Sequence, residues 1–290
     1  MAAGLTLYSD ISARVNDIID DSLAVARMAN VLLPTVSNLS ATGMMDRKVN
    51  EYNAVTFVEA GEEDDTAAQV FSKDALGSLT PAAHRARVDL TDQRVESDFD
   101  GEVSNASIEL GSAAGRSVDV NIALAFDDLT GGTIGNAGTI ITWAHITKAH
   151  SILMNQGVPA ASPVFCALHP YQWEVLLRAN TIAGASVSVA PAFQDRMTAA
   201  PNFFQIPDFV GITFVVSNAI AIDGSDDAYG AIYVPQAIAV DTRKVFNIRP
   251  QRDESRELTE LNSSLWYAHG IWRPAFGVSI LSDASTPTVA

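Results

Sequence analysis

Two residue pairs in the chain have the types that metal or covalent chemistry needs. Cys166 and His169 stand three apart, and His145 and His150 stand five apart. A thiolate and imidazoles can hold zinc, and a thiol beside an imidazole can act as a nucleophile. The spacing speaks against both. Helical histidine ligands favour i, i+4, and Cys166 and His169 straddle a strand end. Cys166 also lies in the apolar run Val164-Phe165-Cys166-Ala167-Leu168, where a thiol behaves as a small buried hydrophobe. His84 and His269 have no partner that spacing identifies.

Other chemistry fares no better. The chain has no G-x-S-x-G elbow, no S-x-x-K and no H-E-x-x-H. The glycine-rich run Gly131-Gly132-Thr133-Ile134-Gly135-Asn136-Ala137-Gly138 lacks the Lys-Ser/Thr of a phosphate loop and the dinucleotide-binding spacing. It reads as a hinge between a long helix and the region that follows. With 34 acids some carboxylate pair is always available, which is no positive signal. The expectation is no enzyme, no metal and no cofactor.

Charge narrows the partners. The net charge is −16, and residues 1–129 hold 22 of the 34 acids against 9 of the 18 bases. Such a chain is a poor general nucleic-acid binder, which needs a basic face. Only Lys48, Lys73, Lys148 and Lys244 are lysines; fourteen bases are arginine. Interfaces are enriched in Arg and depleted in Lys, although a lineage bias gives the same composition. One cysteine excludes an intrachain disulfide framework. No run of eighteen apolar residues is present to cross a membrane, and residues 1–10 lack a secretory signal. A cytoplasmic origin is the simpler expectation.

At 290 residues the chain can bury one large core or two modest ones. Ile11, Val15, Ile18, Ile19, Leu23 and Ala26 recur at helical spacing, with Ser9 or Asp10 as N-cap and Pro34 as a stop. Residues 53–58 read as a strand leading to an acidic tip of Glu59, Glu62, Glu63, Asp64 and Asp65. Residues 69–71 begin a return strand, and 85–90 alternate as another. This excursion of roughly fifty residues has few apolar anchors and reads as a functional arm or a disordered segment, and its acidic tip taken alone as a solvated loop. Val103, Ala106, Leu110, Ala114, Val118, Ile122, Ala125 and Leu129 then mark the longest helix, with Asp98 and Asp100 at its positive end.

Residues 139–240 read as an α/β region. A helix carries Trp143, Ile146, Ala149 and Leu153 and ends at Gly157; a buried strand fills 164–168. A second helix opens at His169-Pro170. A looser Ala-, Ser- and Pro-rich segment covers 181–207, and strands follow at 212–216 and 231–234. Further strands are expected at 238–241, 246–249, 266–271 and 276–281. Between the second and third of these, Arg249, Arg252 and Arg256 alternate with Asp253, Glu254, Glu257 and Glu260.

Three pieces would be left unsatisfied in a lone subunit: the N-terminal helix, the projecting arm and the charge-alternating segment. In that order of elements the chain resembles the major capsid proteins of tailed bacteriophages, with the α+β Hong Kong 97-type fold. The local likeness lies in Arg252-Asp-Glu-Ser-Arg-Glu-Leu-Thr-Glu-Leu-Asn262, in Trp266-Tyr-Ala-His-Gly-Ile271 and Phe276-Gly-Val278, and in Leu168-His-Pro-Tyr-Gln-Trp173.

The resemblance implies an N-terminal arm at 1–40 and an extended loop at 42–95. It implies a peripheral domain with a spine helix at 98–138 and 236–284, and an axial domain at 139–232. Its partners would be other copies of itself in pentamers and hexamers, a portal, and scaffolding or decoration proteins. The shell would enclose DNA without sequence-specific binding and without a membrane, in virions assembled in the host cytoplasm. Expected subunit contacts are Arg249, Arg252, Asp253, Glu254, Arg256, Glu257 and Glu260, Arg85 and Arg87, and Ile11, Val15 and Ile18. Some relatives join subunits by a Lys–Asn isopeptide bond; Lys73 lies in the loop, but no Asn and Glu partners match. An encapsulin-like compartment and an unrecognised cytoplasmic enzyme are the rival readings.

Overall fold

The computed structural model describes residues 30–40, 46–52, 55–59, 67–70, 72–97, 102–159, 161–181, 205–209 and 211–287. Its early strands are β1 (Ser37–Leu39), β2 (Arg47–Tyr52), β3 (Lys73–Leu79), β4 (Ala82–Thr91) and β5 (Thr133–Gly135). The later ones are β6 (Val164–Leu168), β7 (Gln205–Phe209), β8 (Ile212–Val216), β9 (Asp227–Tyr233), β10 (Ile238–Asp253), β11 (Leu258–Ile271) and β12 (Gly277–Asp283). The helices are α1 (Asp92–Glu96), α2 (Glu102–Leu124), α3 (Trp143–Asn155) and α4 (Pro170–Thr181). None of the described helices is long and apolar enough to cross a membrane.

The larger sheet runs β5-β12-β9-β6-β8-β7. Its middle strands are apolar on both faces because both faces are covered. Cys166, Leu168, Phe214, Val216 and Ile232 pack under Trp143, Ile146 and Leu153 of α3 and Trp173 and Leu176 of α4. Ala167, Val215, Ala231 and Tyr233 face the other way, against Val118 and Ile122 of α2 and Phe126 just beyond it. The smaller sheet runs β1-β10-β11-β4. Leu90, Ile248 and Leu261 meet Leu110 of α2 on one of its faces. On the opposite face Ala239 and Ala268 meet Val49 and Leu79, which seats the separate β2–β3 ladder. The long helix thus spans both sheets.

A buried carboxylate fixes that helix to the start of the described chain. Asp119 of α2 is 2% exposed and accepts the amides of Val31 (2.6 Å), Leu32 (3.2 Å) and Leu33 (3.2 Å). It supplies the acceptor that the first turn of a helix lacks, here for the 3₁₀ turn Leu33–Thr35. Burial pushes the Asp119 carboxyl above its usual range, against the pull of those three amides.

Several expectations need correcting. The long helix ends at Leu124, short of Leu129. Ala125 and Phe126 donate to carbonyls three residues back, Ile122 and Ala123, so the chain tightens and leaves the axis. The glycine run is no hinge. Its Thr133–Gly135 strand pairs with β12, and a Cβ on Gly131 would meet the Gly277 and Ala275 carbonyl oxygens. Gly135 has φ +84° with the Leu281 carbonyl against its Cα, so glycine serves close approach here.

Of the strand expected at 53–58, the described residues 55–58 belong to no strand: the ladder is Arg47–Tyr52 with Lys73–Leu79. The two strands expected at 238–241 and 246–249 are one, β10; register shifts between Thr242 and Asn247 break its apolar pattern without ending it. The larger sheet also takes β5 and β12 from outside residues 139–232. The expected N-terminal helix with Ile11, Val15 and Ile18, the acids at 62–65, Asp98, Asp100 and residues 182–204 lie outside the described residues.

Candidate subunit-contact surfaces

The charge-alternating segment is the end of a long hairpin. β10 and β11 pair down to Arg252↔Thr259 and Asp253↔Leu258, and residues 254–257 turn, with Glu257 at φ 47°. Both Arg252 amino groups donate to the two oxygens of Asp92, at the start of α1. Its Nε lies 3.3 Å from Glu254. The Asp92 amide donates to the Glu257 carbonyl at 3.0 Å, so the tip is clamped within the chain twice over. Arg87 of β4 pairs with its neighbour Asp89 at 2.6 Å and across to Glu260 of β11 at 2.9 Å.

Asp253 accepts the amide (3.1 Å) and hydroxyl (2.7 Å) of Ser255, which holds its carboxyl below the usual range. Arg249, Glu254, Arg256 and Glu257 are exposed, as is Arg85. The structure therefore brings Arg87, Arg252, Glu254 and Glu260 into intrachain pairs and leaves the Arg85, Arg249 and Arg256 side chains facing outward.

The β2–β3 ladder carries a different surface. Beyond it, the Thr56 amide donates to Gln69 Oε1 at 2.9 Å, and Gln69 Nε2 donates back to the Thr56 carbonyl. The two passing segments display Val55, Phe57, Val58 and Val70 to solvent, Phe57 wholly so. Contiguous exposed apolar side chains of this size mark interaction surfaces. At the base, fully buried Asp241 of β10 holds Arg243 (2.9 Å) and Arg47 of β2 (3.5 Å). Sequence reasoning missed Asp241 and Asp119; a lone Asp in the apolar run Ile238-Ala-Val-Asp241 is the only signal the first of them offers.

Of the residues that first suggested chemistry, Cys166 and His169 have structural places. Cys166 is fully buried, and burial raises its thiol pKa, so the nucleophilic thiolate is disfavoured. Among the described residues no three His, Cys, Asp or Glu side chains stand together as a metal site. The Leu168-His-Pro-Tyr-Gln-Trp173 motif is a helix start. His169 Nδ1 accepts the Tyr171 amide at 3.2 Å as a cap, and Pro170 is the first helical residue. Buried Gln172 accepts the His169 amide (3.0 Å) and donates to the Ala228 carbonyl (2.9 Å) and Ser282 Oγ (2.8 Å). One side chain thus ties α4 to β9 and β12.

Burial holds His169 below its ordinary value of 6.5. Its stabilising effect is therefore complete above about pH 6.5 and is lost as pH falls through the lower folded-state value. Urea unfolding at pH 7.5 and 5.5 should show this loss, and His169→Asn, which keeps a capping oxygen, should flatten it.

Comparison with known proteins adds the following. Residues 79–280 match the family described as phage capsid protein. The capsid of the cyanophage P-SCSP1u superposes with TM-score 0.64 at 13% identity, covering 87% of each chain. The capsid of Ralstonia phage GP4 gives 0.63 at 12%, over 88% of this chain and 89% of that one. The holo-SrpI encapsulin complex of Synechococcus elongatus PCC 7942 gives 0.59 at 9%, over 89% of each. No curated protein sequence matches the chain. The family match takes in α2, most of both sheets and the clamped hairpin, and the superpositions share their fold, the Hong Kong 97-type: the chain belongs to the phage capsid protein family and is a structural shell protein.

Proposed function

We propose that the chain is the major capsid protein of a tailed bacteriophage, assembling as pentamers and hexamers into an icosahedral head that encloses double-stranded DNA. The observation that carries this reading is the exposed apolar arm: Val55, Phe57, Val58 and Val70 are not covered by any of the described residues. Association with further copies removes that surface from water. In this reading residues 1–40 are the N-terminal arm and 42–95 the extended loop. Residues 98–138 and 236–284 form the peripheral domain, and 139–232 the axial domain, with β12 pairing with β9 across the boundary. The net charge of −16 suits a container that does not grip its genome through the phosphates. A portal and scaffolding or decoration proteins complete the head, which assembles in the host cytoplasm.

The likeness to an encapsulin complex supports a second reading, a compartment that holds protein cargo. Electron microscopy of the purified protein tests the shell, and nuclease-protected DNA inside particles from the natural source separates the two readings. Closed shells are expected. A compact single subunit at high concentration, in the purified protein and in its source, would overturn both.

A further inference from the structure

Among the described residues, the β2–β3 ladder is a sheet of its own and pairs with neither of the larger ones. No backbone register therefore fixes the direction in which the arm leaves its own subunit. Its apolar seat is shallow. Val49 and Leu79 rest on Ala239 and Ala268, and a Cβ on Gly270 would meet Leu79 Cδ2 at 2.6 Å. Leu79 is a peg in a hole that glycine leaves open. Apolar contact is non-directional, so one peg fixes the place of the ladder and leaves it free to tilt.

Charge supplies a second point. Arg47 stands directly across the ladder from Leu79, so the two side chains share the face turned to the sheet. Arg47 Nε lies 3.5 Å from Asp241 Oδ2. Arg243, on the same strand as Asp241, donates to that oxygen from Nε at 3.1 Å, and its Nη2 lies 2.9 Å away. Asp241 is wholly buried and the Arg243 side chain 10% exposed, against 29% for Arg47. The carboxylate is thus held on the body by Arg243, and the one member of the triad that belongs to the arm is the least covered. Asp241 Oδ1 has no hydrogen-bond partner among the described residues, which leaves an acceptor for the rest of the Arg47 fork.

We infer that Asp241 is the positioning residue of the arm: through Arg47 it sets the angle at which β2–β3 leaves the smaller sheet, and that angle decides which closed shell the copies form. The inference rests on the shell reading and names what sets the geometry of its subunit. The six residues Arg47–Tyr52 span about 17 Å. A tilt of about 10° at the root then moves the far end of the ladder by about 3 Å, enough to break a side-chain contact with a neighbour. The pair matters little to the fold itself, because a partly exposed ion pair adds little stability and Asp241 keeps Arg243 when Arg47 is lost.

The test separates angle from stability. Arg47→Met keeps an apolar stem and removes the charge. Its thermal melt is expected to stay within about 2 °C of wild type. The share of particles at the wild-type diameter, counted by electron microscopy, should fall at least about threefold, with other sizes and open shells in their place. Arg47→Lys returns a cation and should recover most of that share. Asp241→Asn should shift the sizes as Arg47→Met does, and the two together should add nothing further, as expected of residues that act through each other. Where Arg47→Met does not fold, Arg47→Gln replaces it with the same sizes expected. Wild-type diameters from the Arg47 variant overturn the inference while the shell reading stands. So does a melt that falls with the yield at unchanged diameter, which makes the pair a fold contact only, or a lysine variant no better than methionine. Failure of the wild-type chain to form shells overturns the shell reading and this inference with it.

Discussion

Replacing Asp119 by alanine is expected to remove about 3–5 kcal/mol of subunit stability, among the larger effects of a single substitution. The carboxylate is buried and serves three amides at once, those of Val31, Leu32 and Leu33. Alanine strands all three donors away from water, and an unpaired buried donor costs about 1–3 kcal/mol. Asparagine keeps one oxygen for the same amides and should recover part of the loss. Urea unfolding of the isolated subunit measures both variants. A loss below about 1 kcal/mol for alanine would mean that the segment before β1 is held by its apolar side chains, Leu32 and Val36, rather than by this carboxylate.

Arg252→Glu and Arg256→Glu should separate, although the sequence treats them as equivalent members of one alternating run. Arg252 holds Asp92 through two charge-assisted bonds at a partly covered position. Reversing it sets a third carboxylate beside Asp92 and Glu254 and should cost about 2 kcal/mol, with fraying of the hairpin tip. Arg256 is exposed and its reversal should change stability by no more than about 0.5 kcal/mol. Thermal melting reads the fold and sedimentation reads assembly. If Arg256→Glu abolishes shells with an unchanged melt, Arg256 is a subunit contact; if shells form normally, it is not. Arg252→Glu should lower both readouts together.

These cases show where the sequence is legible. α3, β6 and α4 stand close to where periodicity places them, because an apolar stripe, a cap and a terminal glycine or proline all act within a few residues. The His169 cap and the Pro170 start are local chemistry, so the motif can be read directly. Asp119 was invisible for the opposite reason: the amides it serves, Val31 to Leu33, lie far along the chain, and nothing near it announces a burial that only the finished fold creates. The charged run misled in a subtler way. Alternation of sign was legible, but the partner of Arg252 is Asp92, on another element. The glycines between 131 and 138 were read for freedom of motion, whereas two of them serve contact with β12. The arm was legible as an excursion with few anchors, but not its register, since Val49 alone among the described side chains of Arg47–Tyr52 joins an apolar cluster, and its partners there lie on distant strands.

The place of β12 has a consequence for how the subunit is made. It lies between β5 and β9, and β5 has no other neighbour in the sheet. Ser279 must therefore find Thr133, at a translation rate that puts on the order of ten seconds between the two emerging from the ribosome. From the emergence of β9 until β12 follows, β9 presents a bare edge on one side, and a nascent polypeptide cannot yet own a finished larger sheet. Unfinished chains are then poor recruits to a growing lattice, and the interval in which an open edge can snare a stranger falls within synthesis, when a chaperone has most to do.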